Sequence, residues 1–220
     1  SLRDVHGMKP LRVDYLAFEN CKNLEAIDLS EATQIGGRAF YNCDKLASID
    51  LSSLQSFRNW YSSSSDGYAF YDCDLIEEVV IPDRVTSIPD RTFYDCENLK
   101  SVPLGASLSS IGSYAFYEYH SNNGSNVQSL TKLYCNAPTP PSVSSSPVWS
   151  PTSCTLYVPE YAMVSYKLDT YWSKFTTVEV NTNTAVKAYD ELARANIIYN
   201  KRGLGYFVSP SAKEQILQER

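Results

Sequence analysis

The 220-residue sequence contains only two histidines, His6 and His120, and only two methionines. It has no G-x-S-x-G, no H-E-x-x-H and no glycine-rich phosphate loop, which are the short motifs of common hydrolases, zinc peptidases and nucleotide-binding enzymes. Nothing in the sequence pairs either histidine with a nucleophile. These absences argue against catalysis, and we predict a protein that is not an enzyme and needs no cofactor.

The sequence also lacks long apolar runs. None approaches the roughly 20 residues needed to cross a bilayer, so we predict no membrane span here. A basic-then-apolar signal segment is missing as well. The chain opens in the middle of a repeat, however, so we expect a fragment of a longer protein, for which a missing signal segment says little about location.

What the chain does contain is a repeat. The pattern F-x-x-C-x-x-L-x-x-I-x-L begins at four phenylalanines that lie 22, 30 and 23 residues apart, and a further start follows 23 residues later at Ala115-Phe116. The four are Phe18, Phe40, Phe70 and Phe93. A period in the low twenties indicates a solenoid, in which each unit buries its apolar face only against its neighbours. We predict that each L-x-x-I-x-L segment is a short strand of a parallel sheet. A second apolar cluster, such as Val85-x-x-Ile88, would form a strand or turn on the opposite wall.

Cysteine occurs six times, which in a small secreted domain would suggest disulfides. Four cysteines stand three residues after the repeat phenylalanine: Cys21, Cys43, Cys73 and Cys96. A fixed repeat position favours buried free thiols that stack from coil to coil as small hydrophobes. The other two, Cys135 and Cys154, are expected to be further core residues. No C-x-x-C spacing is present, so we predict no metal site.

A tyrosine directly follows four of the repeat phenylalanines: Tyr41, Tyr71, Tyr94 and Tyr117. If the coils are in register, these side chains form one ridge beside the polar residues Asn42, Asp72, Asp95 and Glu118. Such a ridge suits contacts with a protein or a glycan, because tyrosine offers a large contact area at low entropic cost. The alternative is that the tyrosines are half-buried structural residues of the repeat.

Three stretches interrupt the period: residues 58–68, residues 117–129 and the Pro/Ser-rich residues 136–153. The first carries Trp60 and Tyr61, and the second carries Tyr119. Insertions in repeat proteins form surface loops, often on a binding face. These aromatic side chains are therefore candidate ligand-binding residues. The equally supported alternative is that they pack back on the solenoid.

The repeats resemble the BspA-like class of leucine-rich repeats. The segments Leu130-Thr-Lys-Leu-Tyr-Cys and Cys154-Thr-Leu-Tyr-Val-Pro-Glu, followed by Tyr166-Lys and Trp172, are similar to the end of that family's repeat array. The resemblance covers roughly residues 2–180. It implies a last strand, a short closing helix, and a non-catalytic surface or secreted protein that acts in adhesion or recognition.

The last forty residues differ in charge. Residues 1–180 have 13 Lys+Arg and 21 Asp+Glu, whereas residues 181–220 have 6 and 4. An amphipathic helix is predicted from Asn183, with Val186, Tyr189 and Leu192 on one face, and residues 197–208 read as a β-hairpin with a basic tip.

This C-terminal segment resembles the recognition helix and wing of GntR-family winged helix-turn-helix regulators, without the two helices that normally precede them. The resemblance implies a DNA-contacting set at the start of the helix and at the wing tip: Thr182, Asn183, Thr184, Lys187, Lys201, Arg202 and Gly203.

From the sequence we therefore predict a mainly β solenoid of BspA-like leucine-rich repeats with short parallel strands, followed by a C-terminal α-helix and β-hairpin. Residues 1–135 would form the repeats, 136–180 the last repeat and cap, and 181–220 a partial GntR-like unit. The expected function is binding of a protein or glycan at the cell surface or after secretion. The alternative is a cytoplasmic DNA-binding regulator whose solenoid acts as a sensor or oligomerisation module. A homo-oligomer formed through the C-terminal segment is also expected.

Overall fold

The structure is a computed structural model that describes residues 2, 3, 5, 7–58, 67–118, 129–145, 147, 148 and 151–182, together with the backbone of two strands at 198–201 and 205–208. The chain divides into two compact units, Ser1–Val180 and Asn181–Arg220. The first unit is a solenoid of stacked coils, and the described part of the second consists of Asn181, Thr182 and two paired antiparallel strands.

One wall of the solenoid consists of two parallel sheets. The first pairs β1 (Arg12–Val13), β2 (Gln34–Gly36) and β3 (Ser56–Arg58) in that order. The second pairs β4 (Ser87–Ile88), β6 (Ser110–Ile111) and β8 (Ser142–Val143). In both sheets the paired apolar residues face the core, as Ile35 does. This is the second short strand that the sequence predicted.

The opposite wall is a four-stranded parallel sheet whose strands pair in chain order. Its strands are β5 (Ser101–Leu104), β7 (Lys132–Cys135), β9 (Thr155–Val158) and β10 (Thr177–Val180). Alternate residues point inward, so that Leu133 and Cys135 of β7 are buried.

The prediction of a strand in every L-x-x-I-x-L segment is wrong for the first three units, since the third has only isolated bridges at Glu78 and Ile81. Residues 24–29 and 46–51 bury most of their apolar side chains but form no strand. A turn follows each of these segments, in which the carboxylates of Asp28 and Asp50 accept hydrogen bonds from the N–H groups of Ser30 and Ser52. Backbone hydrogen bonds between successive coils become regular on this wall only further along the chain. There the Ile81 N–H donates to the carbonyl of Pro103 at 2.8 Å.

The core runs through the solenoid as columns of like residues. The rings of Phe18, Phe40, Phe70, Phe93 and Phe116 stack with centroid separations of 5.2, 5.0, 5.3 and 5.6 Å. The six cysteines are free thiols. All are buried except the first of the column, Cys21, which is half-buried because no described coil covers this turn on that side.

A cap closes the C-terminal end of this core. A 3₁₀ turn (Glu160–Ala162) leads into α1 (Met163–Leu168), and a second 3₁₀ turn (Trp172–Lys174) precedes β10. Tyr166 and Trp172 are fully buried, and the Trp172 indole N–H donates to the carbonyl of Pro141 at 2.8 Å. This confirms the short closing helix that the family resemblance implied.

In the second unit, β11 (Ile198–Lys201) and β12 (Gly205–Val208) pair antiparallel. The helix predicted from Asn183 lies outside the described residues, so the combination of helix and hairpin stays a prediction. Among the described residues, no helix is long and apolar enough to cross a membrane.

Candidate recognition surface

The turn that carries each repeat phenylalanine has an unusual backbone. Residues two positions before and two positions after the phenylalanine have positive φ angles: Leu16, Asn20, Arg38, Asn42, Tyr68, Asp72, Arg91, Asp95 and Tyr114. Left-handed backbone is costly for most side chains, and asparagine and aspartate tolerate it best. The sequence meets this need at the later position, where Asn or Asp stands in four coils.

These turns are bonded to one another in fixed register. In the second coil, the N–H groups of Arg38, Phe40 and Asn42 donate to carbonyls of the third coil at 2.9, 2.8 and 2.9 Å. The same pattern joins the third coil to the fourth, for example Phe70 N–H to the carbonyl of Thr92 at 2.8 Å. Residues at the same offset from the phenylalanine are therefore stacked directly above one another.

The register brings the four predicted tyrosines together in a row, called the tyrosine row below: Tyr41, Tyr71, Tyr94 and Tyr117. Successive ring centroids lie 4.5, 5.2 and 5.6 Å apart, and neighbouring rings are nearly parallel. All four side chains are half-buried. Burial and the neighbouring Tyr41 raise the pKa of the Tyr71 hydroxyl, which is therefore protonated and can donate a hydrogen bond.

A second line of side chains flanks the row on the N-terminal side of each turn, and the sequence analysis missed it. The Arg38 guanidinium lies over the Tyr41 ring at 4.5 Å. Arg91 lies between Tyr68 and Tyr114, at 5.4 and 5.0 Å from their ring centroids. The available signal was the residue two positions before each phenylalanine, which alternates between arginine and tyrosine after the first coil.

Carboxylates flank the other side of the row, at positions two and four residues after the phenylalanine; they are called the acidic row below. Its members are Asp44, Asp72, Asp74, Asp95 and Glu97. Burial, together with the nearby carboxylates of Asp72 and Glu97, raises the pKa of Asp74 to about 6. Burial and the carboxylate of Asp44 likewise raise the pKa of Asp72. A lysine, Lys22, reaches this row and contacts Asp44 at 3.4 Å.

Glu118, which was expected beside the tyrosines, has a different place. Its side chain is buried, and both carboxylate oxygens accept a hydrogen bond from the N–H of Ser129, at 3.1 and 3.0 Å. The Ser129 hydroxyl in turn donates to the carbonyl of Glu97. Glu118 therefore joins the two ends of the 119–128 insertion and does not extend the acidic row.

The remaining predicted site residues are not part of the described surface. Trp60, Tyr61 and Tyr119 lie outside the described residues. Of the set implied for DNA contact, Thr182 is exposed and Lys201 ends β11. The others lie outside the described residues: Asn183, Thr184, Lys187, Arg202 and Gly203.

The buried thiols are not arranged for chemistry. Burial raises the pKa of Cys43 and of Cys154 to about 12 and that of Cys135 to about 11. These thiols stay protonated at neutral pH, whereas nucleophilic and metal-binding cysteines act as thiolates. Within the described part of the chain, no group of three or more His, Cys, Asp or Glu side chains could hold a metal ion.

Comparison with known families identifies the repeat. The model of the BspA type leucine rich repeat region matches residues 11–67 and 63–137, with six copies. No curated protein sequence matches the chain.

Two solved structures are similar to parts of the chain. A leucine-rich repeat protein of T. pallidum (TpLRR) is 25% identical over 60% of this chain, with a TM-score of 0.39. A leucine-rich repeat protein from Bacteroides ovatus ATCC 8483 is 21% identical over 76% of this chain, with a TM-score of 0.36. The matches span 66% and 58% of those two chains, less than two thirds of either.

Proposed function

This chain belongs to the BspA-type leucine-rich repeat family, and we propose that it is a non-catalytic binding module that contacts a macromolecular partner through the tyrosine row. The observation that carries this proposal is the row itself. Its rings are stacked over four coils at 4.5–5.6 Å and remain half-exposed. Because the turns are bonded in register, the side chains are ordered before a partner arrives, which reduces the entropy lost on binding.

We propose that aromatic residues of the inserted segments contribute to the same surface. Trp60 stands two residues after the end of β3 and is followed by Tyr61, and Tyr119 follows Tyr117 by two residues. Aromatic side chains in loops beside a rigid scaffold are common binding residues. We propose a protein or glycan partner at the cell surface or outside the cell, as family members of this type suggest. The proposed division of the chain is repeats at 1–135, last repeat and cap at 136–180, and a distinct C-terminal unit at 181–220.

The second candidate is a cytoplasmic GntR-like DNA-binding regulator. The observation that favours it is the antiparallel hairpin of β11 and β12, whose connection carries Arg202 and Gly203 after Lys201. A wing of this kind would approach the minor groove or phosphates, while Thr182, Asn183, Thr184 and Lys187 would border the major groove. Independently of this candidate, we propose the C-terminal unit as a site of homo-oligomer formation.

An array of extracellular proteins and glycans tests the first proposal. The wild type is compared with Trp60→Ala/Tyr94→Ala and with the control Tyr161→Ala, which removes a tyrosine that is 72% exposed on the cap. We expect binding by the wild type and the control and weaker binding by the double variant. Equal binding by all three proteins would contradict the assignment of the tyrosine row as the binding surface.

Fluorescence anisotropy with mixed-sequence and operator-like DNA duplexes tests the second candidate. Nonspecific DNA affinity grows with the number of phosphate contacts. The C-terminal segment has a small net positive charge, whereas residues 1–180 have a net negative charge. We therefore expect weak binding without sequence preference. Sub-micromolar, sequence-selective binding that is lost in Arg202→Ala would favour the regulator instead.

A further inference from the structure

The tyrosine row exposes ring edges rather than ring faces. The Tyr71 ring lies between Tyr41 at 4.5 Å and Tyr94 at 5.2 Å, so both of its faces are covered. Tyr94 is enclosed in the same way by Tyr71 and by Tyr117 at 5.6 Å. Sugar rings bind aromatic side chains by lying flat on an exposed face. The interior of this row offers no such face, and its hydroxyls and edges are what a partner would meet.

On the side of the row opposite Arg38 and Arg91, carboxylates recur over three coils, with Lys22 contacting the first of them. Asp44 belongs to the second coil, Asp72 and Asp74 to the third, and Asp95 and Glu97 to the fourth. One oxygen of Asp44 and one of Asp74 are buried without a hydrogen-bond partner among the described residues. A partner would meet the other carboxylate oxygens, because the side chains of the row are half-buried or exposed, and carboxylate oxygens are strong acceptors for ammonium and guanidinium groups.

We propose that the tyrosine row and the acidic row together form a docking surface for a basic segment of a protein, whose Lys or Arg side chains contact the carboxylates while its backbone and apolar groups contact the tyrosine edges. This inference rests on the proposed binding function and narrows it to one class of partner. A glycan or an acidic ligand would be the wrong class.

The electrostatics of the third coil support this assignment. Carboxylates held close together repel one another, and a bound cation offsets this repulsion because it attracts each of them. The pKa of Asp72 and that of Asp74 are both raised by burial and by neighbouring carboxylates. A bound Lys or Arg side chain would lower both pKa values again, so binding of a basic partner is expected to weaken as the pH falls below 6.

The experiment measures binding of fluorescein-labelled dodecalysine by fluorescence anisotropy at low ionic strength. The test variant is Asp72→Asn/Asp74→Asn. Asn42 occupies the same repeat position as Asp72 and has nearly the same φ, 56° against 57°, so the backbone accepts this change. The control variant is Glu78→Gln/Glu160→Gln, which removes two exposed carboxylates elsewhere on the chain. The two variants have the same net charge, so a difference between them reports the site and not the overall charge.

We expect the test variant to bind dodecalysine about fivefold more weakly than the control, the loss anticipated for two partly exposed charge contacts. The difference should disappear in ~1 M salt, where charges are screened. A second pair, Asp44→Asn/Glu97→Gln, repeats the measurement if the first variant has a lower melting temperature. Equal affinity of test and control variants would overturn the proposal.

Binding assays with labelled cellohexaose and chitohexaose distinguish the basic-segment proposal from the broader proposal of a binding function. We expect neither sugar to bind. Binding of either sugar that is lost in Tyr71→Ala would leave the binding function intact but overturn the basic-segment proposal. If the protein array, dodecalysine and both sugars all fail to bind, the proposed function itself fails.

Discussion

The thiol of Cys73 donates a hydrogen bond to the backbone carbonyl of Phe40 in the preceding coil, with 3.2 Å between sulfur and oxygen. The same bond joins Cys43 to Phe18 at 3.2 Å and Cys96 to Phe70 at 3.1 Å. Cysteine therefore recurs at this position for two reasons. It fills a small buried space, and its S–H satisfies a carbonyl that the turn leaves facing the core.

The cysteine column makes a prediction about thiol reactivity. Reagents that react with thiolates should label Cys21 first, because it is half-buried while the other five cysteines are buried. Labelling with a maleimide under native conditions, followed by peptide mass spectrometry, measures the order. A Cys21→Ser variant should lose the fast phase. Fast native labelling of Cys43, Cys73 and Cys96 would contradict the buried column.

The phenylalanine column makes a prediction about stability. Phe70→Ala should lower the free energy of unfolding by about 3–5 kcal/mol, because it opens a cavity between two stacked rings. Phe18→Ala is the matched control, since Phe18 is half-buried at the end of the column, and it should cost clearly less. Urea denaturation followed by circular dichroism gives both values. Equal losses of unfolding free energy in the two variants would show that the stacked phenylalanine column does not stabilise the core.

The acidic row makes a prediction about pH. The pKa of Asp74 is about 6 in the folded chain, above its ordinary value. The folded state therefore binds this proton more tightly than the unfolded state, and stability should rise as the pH falls from 7 through 6 towards 4.5. Asp74→Asn should be more stable than the wild type at pH 7 and should show a smaller rise. Melting temperatures of both proteins measured across this pH range test the prediction. It would be contradicted if the wild type lost stability relative to Asp74→Asn between pH 7 and pH 5.

The close approach of two coils makes a prediction about Gly67. A Cβ at this position would lie 1.7 Å from the carbonyl oxygen of Asp90, which belongs to the backbone and cannot move aside alone. Gly67→Ala should therefore force the third and fourth coils apart and lower the melting temperature by several degrees or more. Ser107→Ala, an exposed change in a surface turn, should leave it unchanged. Equal melting temperatures for the two variants would mean that the coils are not packed this closely.

The repeat period was enough to predict the columns of the solenoid. A fixed offset between Phe40 and Cys43, repeated in each unit, requires that both stack once the coils are in register. The sequence could not predict which wall would form regular strands. That depends on whether the backbone hydrogen-bonds to the neighbouring coil or to a local side chain such as Asp28. Segments that form strands and segments that do not have the same apolar pattern.

The candidate surface was also only partly predictable. The tyrosines were found because they follow the phenylalanine directly. Arg38 and Arg91 were missed because they stand on left-handed turn residues that no apolar periodicity marks. Glu118 was misplaced because its role depends on Ser129, which follows an insertion whose path the sequence does not specify. Contacts that join distant residues around a loop are set by tertiary structure and not by spacing.

Hydroxyl-radical footprinting tests the central claim most directly. The protein is oxidised alone and in complex with the array protein that binds it most tightly, and modification of each tyrosine is measured by mass spectrometry. We predict that Tyr41, Tyr71 and Tyr94 become protected in the complex while Tyr161 on the cap does not. Protection of Tyr161 with unchanged oxidation of the tyrosine row would show that the partner binds elsewhere and would contradict the account.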